Sequence, residues 1–314
     1  MPWKNCGWMP NDTISILIDN LKDPASIEIK EKIHTIADLN TNVLLYGETG
    51  VGKDIWARYL LEISRFPNLL NLNCGDVPEN LLESEWFGYR KGAFTGAETD
   101  YDGKWKTAGD GILFLNQVDL LSLNLQARLL RIIERKKYFP LGTNHEVDVN
   151  ARFIFSADSD IEEKVRKGEF RRDLFYRISS YSIFIPPLRE REKDILPLLH
   201  FFATSRNVNV DLSPTALKTL SQYQWRGNIR EMDNFVNNVA IKSKNLRDSD
   251  LDLLVKNSLS FLETYEKQEM TLEDLDREYI YFLLRKYKSK VKVAKILDIS
   301  RKSLYNRLKR YEQS

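Results

Sequence analysis

Gly47-Glu48-Thr49-Gly50-Val51-Gly52-Lys53 satisfies the pattern G-x-x-x-x-G-K. Glycines at these positions let the backbone aim its N–H groups at phosphate oxygens, and the lysine pairs with the beta and gamma phosphates of a nucleotide. The next residue is Asp54, where the general pattern carries Ser or Thr for a magnesium ion. Nucleotide chemistry of this kind needs a second element, an apolar strand ending in acids that hold magnesium and orient water. The best match is Gly111-Ile112-Leu113-Phe114-Leu115-Asn116-Gln117-Val118-Asp119, in which Asn116 and Gln117 stand where two carboxylates belong. Asn116 offers magnesium, or its bound water, a neutral oxygen; Gln117 orients a water but cannot take its proton. Losing a general base costs about 10² to 10⁴ in rate, whereas binding rests on the loop and Lys53. Binding is therefore better supported than turnover.

The elements that must position these groups are visible in the hydrophobic pattern. Asp23, an N-cap, and Pro24, at the first helical position, open a helical run through Ile27, Ile29, Ile33, Ile36 and Leu39. A strand over 42–46 leads straight into the glycine loop. Further strands are expected over 69–73, 112–115, 152–155 and 181–185, with helices over 123–136 and 161–167 among the segments between them. That alternation predicts an α/β fold with a parallel sheet flanked by helices. Residues 194–245 show only helical periodicity, with breaks at Pro214 and Gly227, and predict a small all-helical domain. Three helices are expected in the tail, over 272–287, 291–297 and 301–311, with Ser300 as an N-cap. Val293, Ala294, Leu297, Ile299, Leu304 and Leu308 have the spacing of a helix-turn-helix core, leaving Arg301, Lys302, Ser303, Tyr305, Asn306, Arg307, Lys309 and Arg310 for DNA phosphates and bases.

With those elements in place, the segment Glu83-Ser84-Glu85-Trp86-Phe87-Gly88-Tyr89-Arg90-Lys91-Gly92-Ala93-Phe94-Thr95-Gly96-Ala97 acquires a meaning. Its last six residues, Gly92, Ala93, Phe94, Thr95, Gly96 and Ala97, resemble the GAFTGA loop of sigma-54-dependent activators, the bacterial enhancer-binding proteins of the AAA+ ATPase class. The resemblance covers the chain from about Asp23 onward, and the acid that this family carries after the P-loop lysine is matched by Asp54. It implies an AAA+ fold with a helical lid, followed by a Fis-type helix-turn-helix. Gly47, Glu48, Thr49, Gly50, Val51, Gly52, Lys53 and Asp54 would then hold ATP with Mg2+, for which Asn116 is the metal-facing residue. Asn73 would sense the gamma phosphate from the end of the second strand. Arg171 and Arg177 look like arginine fingers reaching a neighbouring subunit. Arg230 would contact nucleotide from Trp225-Arg226-Gly227-Asn228-Ile229-Arg230-Glu231, which is similar to the family's W-P-G-N-V-R-E sensor with Arg226 in place of proline. The implied partners are the sigma-54 RNA polymerase holoenzyme, double-stranded DNA at upstream enhancer sites, and further subunits in a homo- or hetero-oligomeric ring, with a hexamer expected.

Departures from the family pattern cluster at the chemistry. Besides Asn116 and Gln117, the stretch Phe155-Ser156-Ala157-Asp158 has Ala and Asp where the family shows Thr and Asn. Either Asp158 supplies the carboxylate missing from Gln117, or the site only holds nucleotide. A carboxylate beside a gamma phosphate adds like-charge repulsion, which favours weak or absent hydrolysis.

The composition fits this organisation. Of 314 residues, 42% are hydrophobic and 29% charged, a balance for a globular chain of two or three domains. The formal net charge of +2 conceals a polarised chain, since residues 285–314 carry eleven basic and two acidic residues, a polyanion-binding end. The only cysteines, Cys6 and Cys74, build neither a disulfide framework nor a zinc site. No apolar run approaches the roughly 20 residues of a membrane span, so a cytoplasmic protein without membrane contact is expected. The expected divisions are a short N-terminal extension over 1–22 without a receiver domain, an α/β subdomain over 23–188, a helical lid over 189–257, a linker over 258–270 and a DNA-binding domain over 271–314.

Overall fold

The computed structural model describes residues 12–75 and 78–251, together with positions 254, 280, 290, 293, 294, 297, 299, 303, 304, 307 and 308. The chain divides into two compact units, Met1–Asp250 and Leu251–Ser314.

The first unit begins with α1 (Asp12–Asp19), α2 (Pro24–Ile36), β1 (Val43–Tyr46), α3 (Lys53–Glu62) and β2 (Leu69–Asn73). There follow α4 (Glu79–Phe87), α5 (Gly103–Ala108), β3 (Ile112–Asn116), α6 (Leu123–Arg135) and a hairpin of β4 (Lys137–Tyr138) and β5 (Val147–Asp148). The sheet is completed by β6 (Arg152–Ala157), α7 (Ile161–Lys167), α8 (Arg172–Ile178) and β7 (Tyr181–Phe184). Then come α9 (Glu192–Ser205), β8 (Asn209–Asp211), α10 (Pro214–Gln222), α11 (Asn228–Lys242) and β9 (Asn245–Arg247).

Five strands pair in the order β2-β3-β6-β1-β7, all parallel. Every residue of β6 is buried, as are Val43, Leu44 and Leu45 of β1, the pattern of central parallel strands covered on both faces. Helix starts follow the expected chemistry. The Asp23 carboxylate accepts from Ala25 N at 3.1 Å with Pro24 next in line, Ser122 caps α6, and Ser213 caps α10. Pro214, read from sequence as a break, is thus the first residue of a helix.

Two local expectations change. The segment after residue 194 is not purely helical, because β8 and β9 pair in parallel across α10 and α11. The β4–β5 hairpin was likewise not visible in the sequence. Strands of two or three residues are too short to display a period of two, so only their hydrogen bonds reveal them.

Four groups tie the N-terminal helices to the α9 end of the unit. The Asp194 carboxylate accepts from Lys22 N and Asp23 N, both at 2.8 Å, and from the Ser26 hydroxyl. Beside it the buried Arg191 guanidinium donates to Val51 O at 3.0 Å, inside the glycine loop. Helix α1 lies against α3, where Ser15 donates to the Glu62 carboxylate through both N and Oγ. In the second unit, Ile280, Val293, Ala294, Leu304 and Leu308 form a buried cluster against which Leu297 and Ile299 pack; all but Ile280 are the residues expected of a helix-turn-helix core. Among the described residues no helix is long and apolar enough to cross a membrane.

Candidate functional site

The glycine loop joins the C-terminal end of β1 to the N-terminus of α3, the place where parallel α/β sheets bind ligands. Its glycines are obligatory on steric grounds. A Cβ on Gly47 would lie 2.3 Å from Ile185 O, and one on Gly50 2.5 Å from Gly227 O with φ at +81°. Gly52, left-handed at φ 97°, starts the ten-residue α3, and no side chain caps that helix. The first-turn amides of α3 are therefore available to an anion, which is the fit required for nucleotide phosphates. Lys53 Nζ donates to Gly47 O at 2.6 Å and Glu48 O at 3.0 Å. Burial lowers the pKa of its ammonium; Asp158, Asp119 and Asp54 oppose that shift, and Arg230 adds to it.

At the sheet edge, Asn73 of β2 is in register with Asn116 of β3, and Cys74 N donates to Asn116 O at 2.9 Å. Asn73 Oδ1 accepts from Gly75 N at 3.3 Å, in a turn that also faces Gln117 Oε1. The Asn116 carboxamide oxygen accepts from the Ser156 hydroxyl, whose oxygen in turn accepts from Gln117 N at 3.0 Å. The oxygen that the family resemblance assigns to magnesium is thus neutral and already engaged by a neighbouring strand. Gln117 sits in the left-handed region at φ 61°. Asp158 follows Ala157, which pairs with Tyr46, so Asp158 and Gly47 leave the sheet side by side. Asp158 Oδ2 accepts from Thr49 Oγ1 at 3.1 Å, while its backbone N donates to Asp119 Oδ1 at 3.3 Å. Asp119, buried, forms an ion pair with Lys164 at 2.6 Å. Burial lowers the Lys164 pKa, but the Asp119 bond and charge outweigh it and the net shift is upward.

The helical end of the unit is fastened directly to the loop. Arg189 makes a bidentate ion pair with Glu48, at 2.9 and 2.6 Å, which holds the Glu48 carboxyl below its usual pKa. Asn228 is buried at φ 54° and donates to Glu48 Oε2 at 3.1 Å and Thr49 O at 3.0 Å, while its own carboxamide oxygen accepts from Leu188 N. Ile229 N donates to Gly50 O at 2.9 Å. These bonds set the exposed Arg230 beside Lys53 and Gly50.

Residues Gly92, Ala93, Phe94, Thr95, Gly96 and Ala97 form a loop between α4 and α5. Gly92 N donates to Ala97 O at 2.9 Å and Ala97 N to Phe94 O at 3.0 Å, closing the loop on itself. Phe94 is 46% exposed with its ring 4.9 Å from that of Tyr89, and Thr95 is exposed. The flanking α4 and α5 are joined by an aromatic cluster of Trp86, Phe87 and Trp105 with Tyr138 and Phe153. Arg171 and Arg177, at the two ends of α8, have exposed side chains; Arg171 pairs bidentately with Asp173. In the second unit Ser303 and Arg307 are helical and partly exposed. Arg301, Lys302, Tyr305, Asn306 and Lys309 lie outside the described residues.

Ser156, Asp119, Lys164, Arg189, Arg191 and Asn228 were not singled out from sequence as site residues. Asn228 sits inside the quoted 225–231 motif. Arg189 and Arg191 carry no local signal, because their partners lie 141 and 140 residues away.

Comparison with known proteins follows the same lines. The model of the Sigma-54 interaction domain matches residues 20–184, the AAA+ ATPase lid domain matches 189–258, and the bacterial regulatory protein, Fis family, matches 271–311. The chain is 37% identical over 253 residues to the anaerobic nitric oxide reductase transcription regulator NorR of Aliivibrio fischeri, covering 78% of this chain and 49% of that protein. To the acetoin dehydrogenase operon transcriptional activator AcoR of Bacillus subtilis it is 36% identical over 290 residues, covering 88% and 48%. To the Nif-specific regulatory protein of Azospirillum lipoferum it is 37% identical over 227 residues, covering 70% and 36%. The chain thus spans about half the length of these curated relatives, or less. Among solved structures, NtrX from Brucella abortus in complex with ATP is similar at a TM-score of 0.68 and 24% identity, covering 92% of this chain and 68% of that one. The same protein in complex with ADP gives 0.68 and 23%. The likeness shows the fold: a P-loop parallel sheet with a helical lid, followed by a helix-turn-helix.

Proposed function

The chain belongs to the family of sigma-54-dependent regulators, and on that premise we propose that it is a DNA-bound transcription activator that binds ATP and engages the sigma-54 RNA polymerase holoenzyme. The observation that carries this reading is the loop Gly92–Ala97, complete in sequence and closed on itself with Phe94 and Thr95 exposed. The tail would bind upstream enhancer DNA through Arg301, Lys302, Ser303, Tyr305, Asn306, Arg307 and Lys309. Subunits would assemble into a ring, a hexamer by family likeness, in the cytoplasm. ATP would rest on the amides of residues 47–52 and on Lys53, with Asn73 and Arg230 sensing its presence. Mg2+ would accompany it, coordinated mainly by phosphates and water, with Asn116 the protein's neutral contributor. Nucleotide binding would raise or lower the loop, a two-state element biased by its contacts at the strand ends.

Thr95→Ala tests the reading. Co-sedimentation with sigma-54 holoenzyme is expected to fall at least about tenfold while enhancer binding in a mobility-shift assay stays unchanged. Loss of both activities would show that the loop and the DNA-binding unit have no separable roles, and retention of both would remove the loop from the interface.

A second reading is favoured by Asn116 and Gln117: the subunit holds nucleotide without hydrolysing it and works in a mixed ring. Arg171 and Arg177 are exposed and available to a neighbour's site, where an arginine finger is worth about 10³ to 10⁵ in rate. ATP turnover is expected to be near background for the purified chain and to rise when it is mixed with an active relative whose own fingers have been removed. Brisk turnover by the chain alone would exclude this second reading.

A further inference from the structure

We propose that Asp158 makes this site discriminate against a third phosphate, so that the chain holds a nucleoside diphosphate more tightly than the corresponding triphosphate. The inference rests on the nucleotide-binding reading above and concerns which nucleotide that site prefers.

Geometry carries the argument. Asp158 leaves the sheet beside Gly47, because Ala157 and Tyr46 are in register. Its carboxylate is fixed from two sides. Oδ2 accepts from Thr49 Oγ1 at 3.1 Å, and Oδ1 accepts from Ser159 N at 2.7 Å and Ser159 Oγ at 3.2 Å. The backbone N is itself held by Asp119 Oδ1. A P-loop cradles the alpha and beta phosphates with its amides, and the terminal phosphate extends beyond them toward the ends of the strands. In this chain that path runs past Thr49, where the Asp158 carboxylate stands.

The surrounding charges do not cancel it. Lys53 and Arg230 attract any phosphate and so do not distinguish two from three. Asp119 is paired with Lys164 and Glu48 with Arg189, leaving Asp158 and Asp54 as the acids felt at Lys53 that form no ion pair among the described residues. Asp54 lies in the first turn of α3, on the loop side, whereas Asp158 lies on the strand side, where the third phosphate arrives. A dication would screen the repulsion, but the residues that would draw one in are uncharged amides, and the Asn116 oxygen already accepts from Ser156. A diphosphate ends before it meets Asp158.

The experiment is competition of unlabelled ADP and ATP against a fluorescent ADP analogue on the full chain, with and without excess Mg2+. The wild-type chain is expected to bind ADP about tenfold more tightly than ATP without Mg2+, a ratio that narrows with Mg2+. Asp158→Asn keeps the shape and removes the charge; it is expected to raise ATP affinity about tenfold and to move ADP affinity by less than about twofold. Thr49→Val removes the hydrogen bond but keeps the charge, and is expected to preserve the preference for ADP. Equal affinities in the wild type would overturn the inference while leaving nucleotide binding intact. So would an Asp158→Asn variant that shifts both nucleotides alike, or one that binds Mg2+-ATP more weakly, which would make Asp158 a metal ligand. Failure of the wild type to bind either nucleotide would overturn the functional reading, and this inference with it.

Discussion

Arg152→Ala is expected to lower the unfolding free energy by about 3 to 5 kcal/mol, from the loss of charged hydrogen bonds, the stranding of carbonyls and a new cavity. Arg152 is fully buried on β6, and its guanidinium donates to Ile36 O at 2.9 Å, Ala37 O at 2.6 Å and Thr41 O at 3.2 Å. Two of those carbonyls end α2, where the helix dipole is negative and a cation is stabilising. Burial pulls the Arg152 pKa down to about 10, so the side chain is still charged at neutral pH. Alanine would strip the donor from Ala37 O and Thr41 O, leave Ile36 O only its bond from Leu39 N, and open a void between α2 and the sheet. Urea titration should show a lower midpoint at an unchanged slope. Arg152→Lys should recover only part of the loss, since one ammonium lacks the planar fork that reaches several carbonyls. A loss below about 1 kcal/mol would mean that water replaces the guanidinium.

Lys53→Ala is expected to weaken nucleotide binding about 10² to 10³-fold, the scale of removing one partner from a desolvated charge pair. Lys53 Nζ rests on Gly47 O and Glu48 O, so the ammonium is already held at the loop before any phosphate arrives. The burial that lowers its pKa also raises the worth of each contact to an anion, because the local dielectric is low. Fluorescent-nucleotide titration checks the affinity, and enhancer binding should be untouched. A drop smaller than about tenfold would assign most of the affinity to the loop amides and Arg230.

Much of the scaffold was legible in the amino-acid order. Strands expected over 69–73 and helices over 161–167 form with those bounds, and the other sheet strands differ by one or two residues at an end. These elements announce themselves because burial on a sheet or a helix face imposes a short period on neighbouring residues. The clasp of Glu48, Arg189 and Asn228 had no such signal. Its partners are separated by 141 and 180 residues, and nothing local distinguishes an arginine that will meet a carboxylate from one that stays in water. Asp158 was legible as an anomaly, but its bond to Thr49 was not, since that depends on the register of β6 against β1.

The chain's own order therefore determined the glycine loop, the neutral strand end, the Gly92–Ala97 segment, the family and the parallel sheet, because each is a matter of residue type at short spacing. Tertiary structure alone decided where the charges meet: Asp158 over Thr49, Arg189 on Glu48, Asp119 against Lys164 and Arg152 beneath α2. Electrostatic interactions fall off over a few ångströms in space and take no account of separation along the chain, so only folding brings such partners within range.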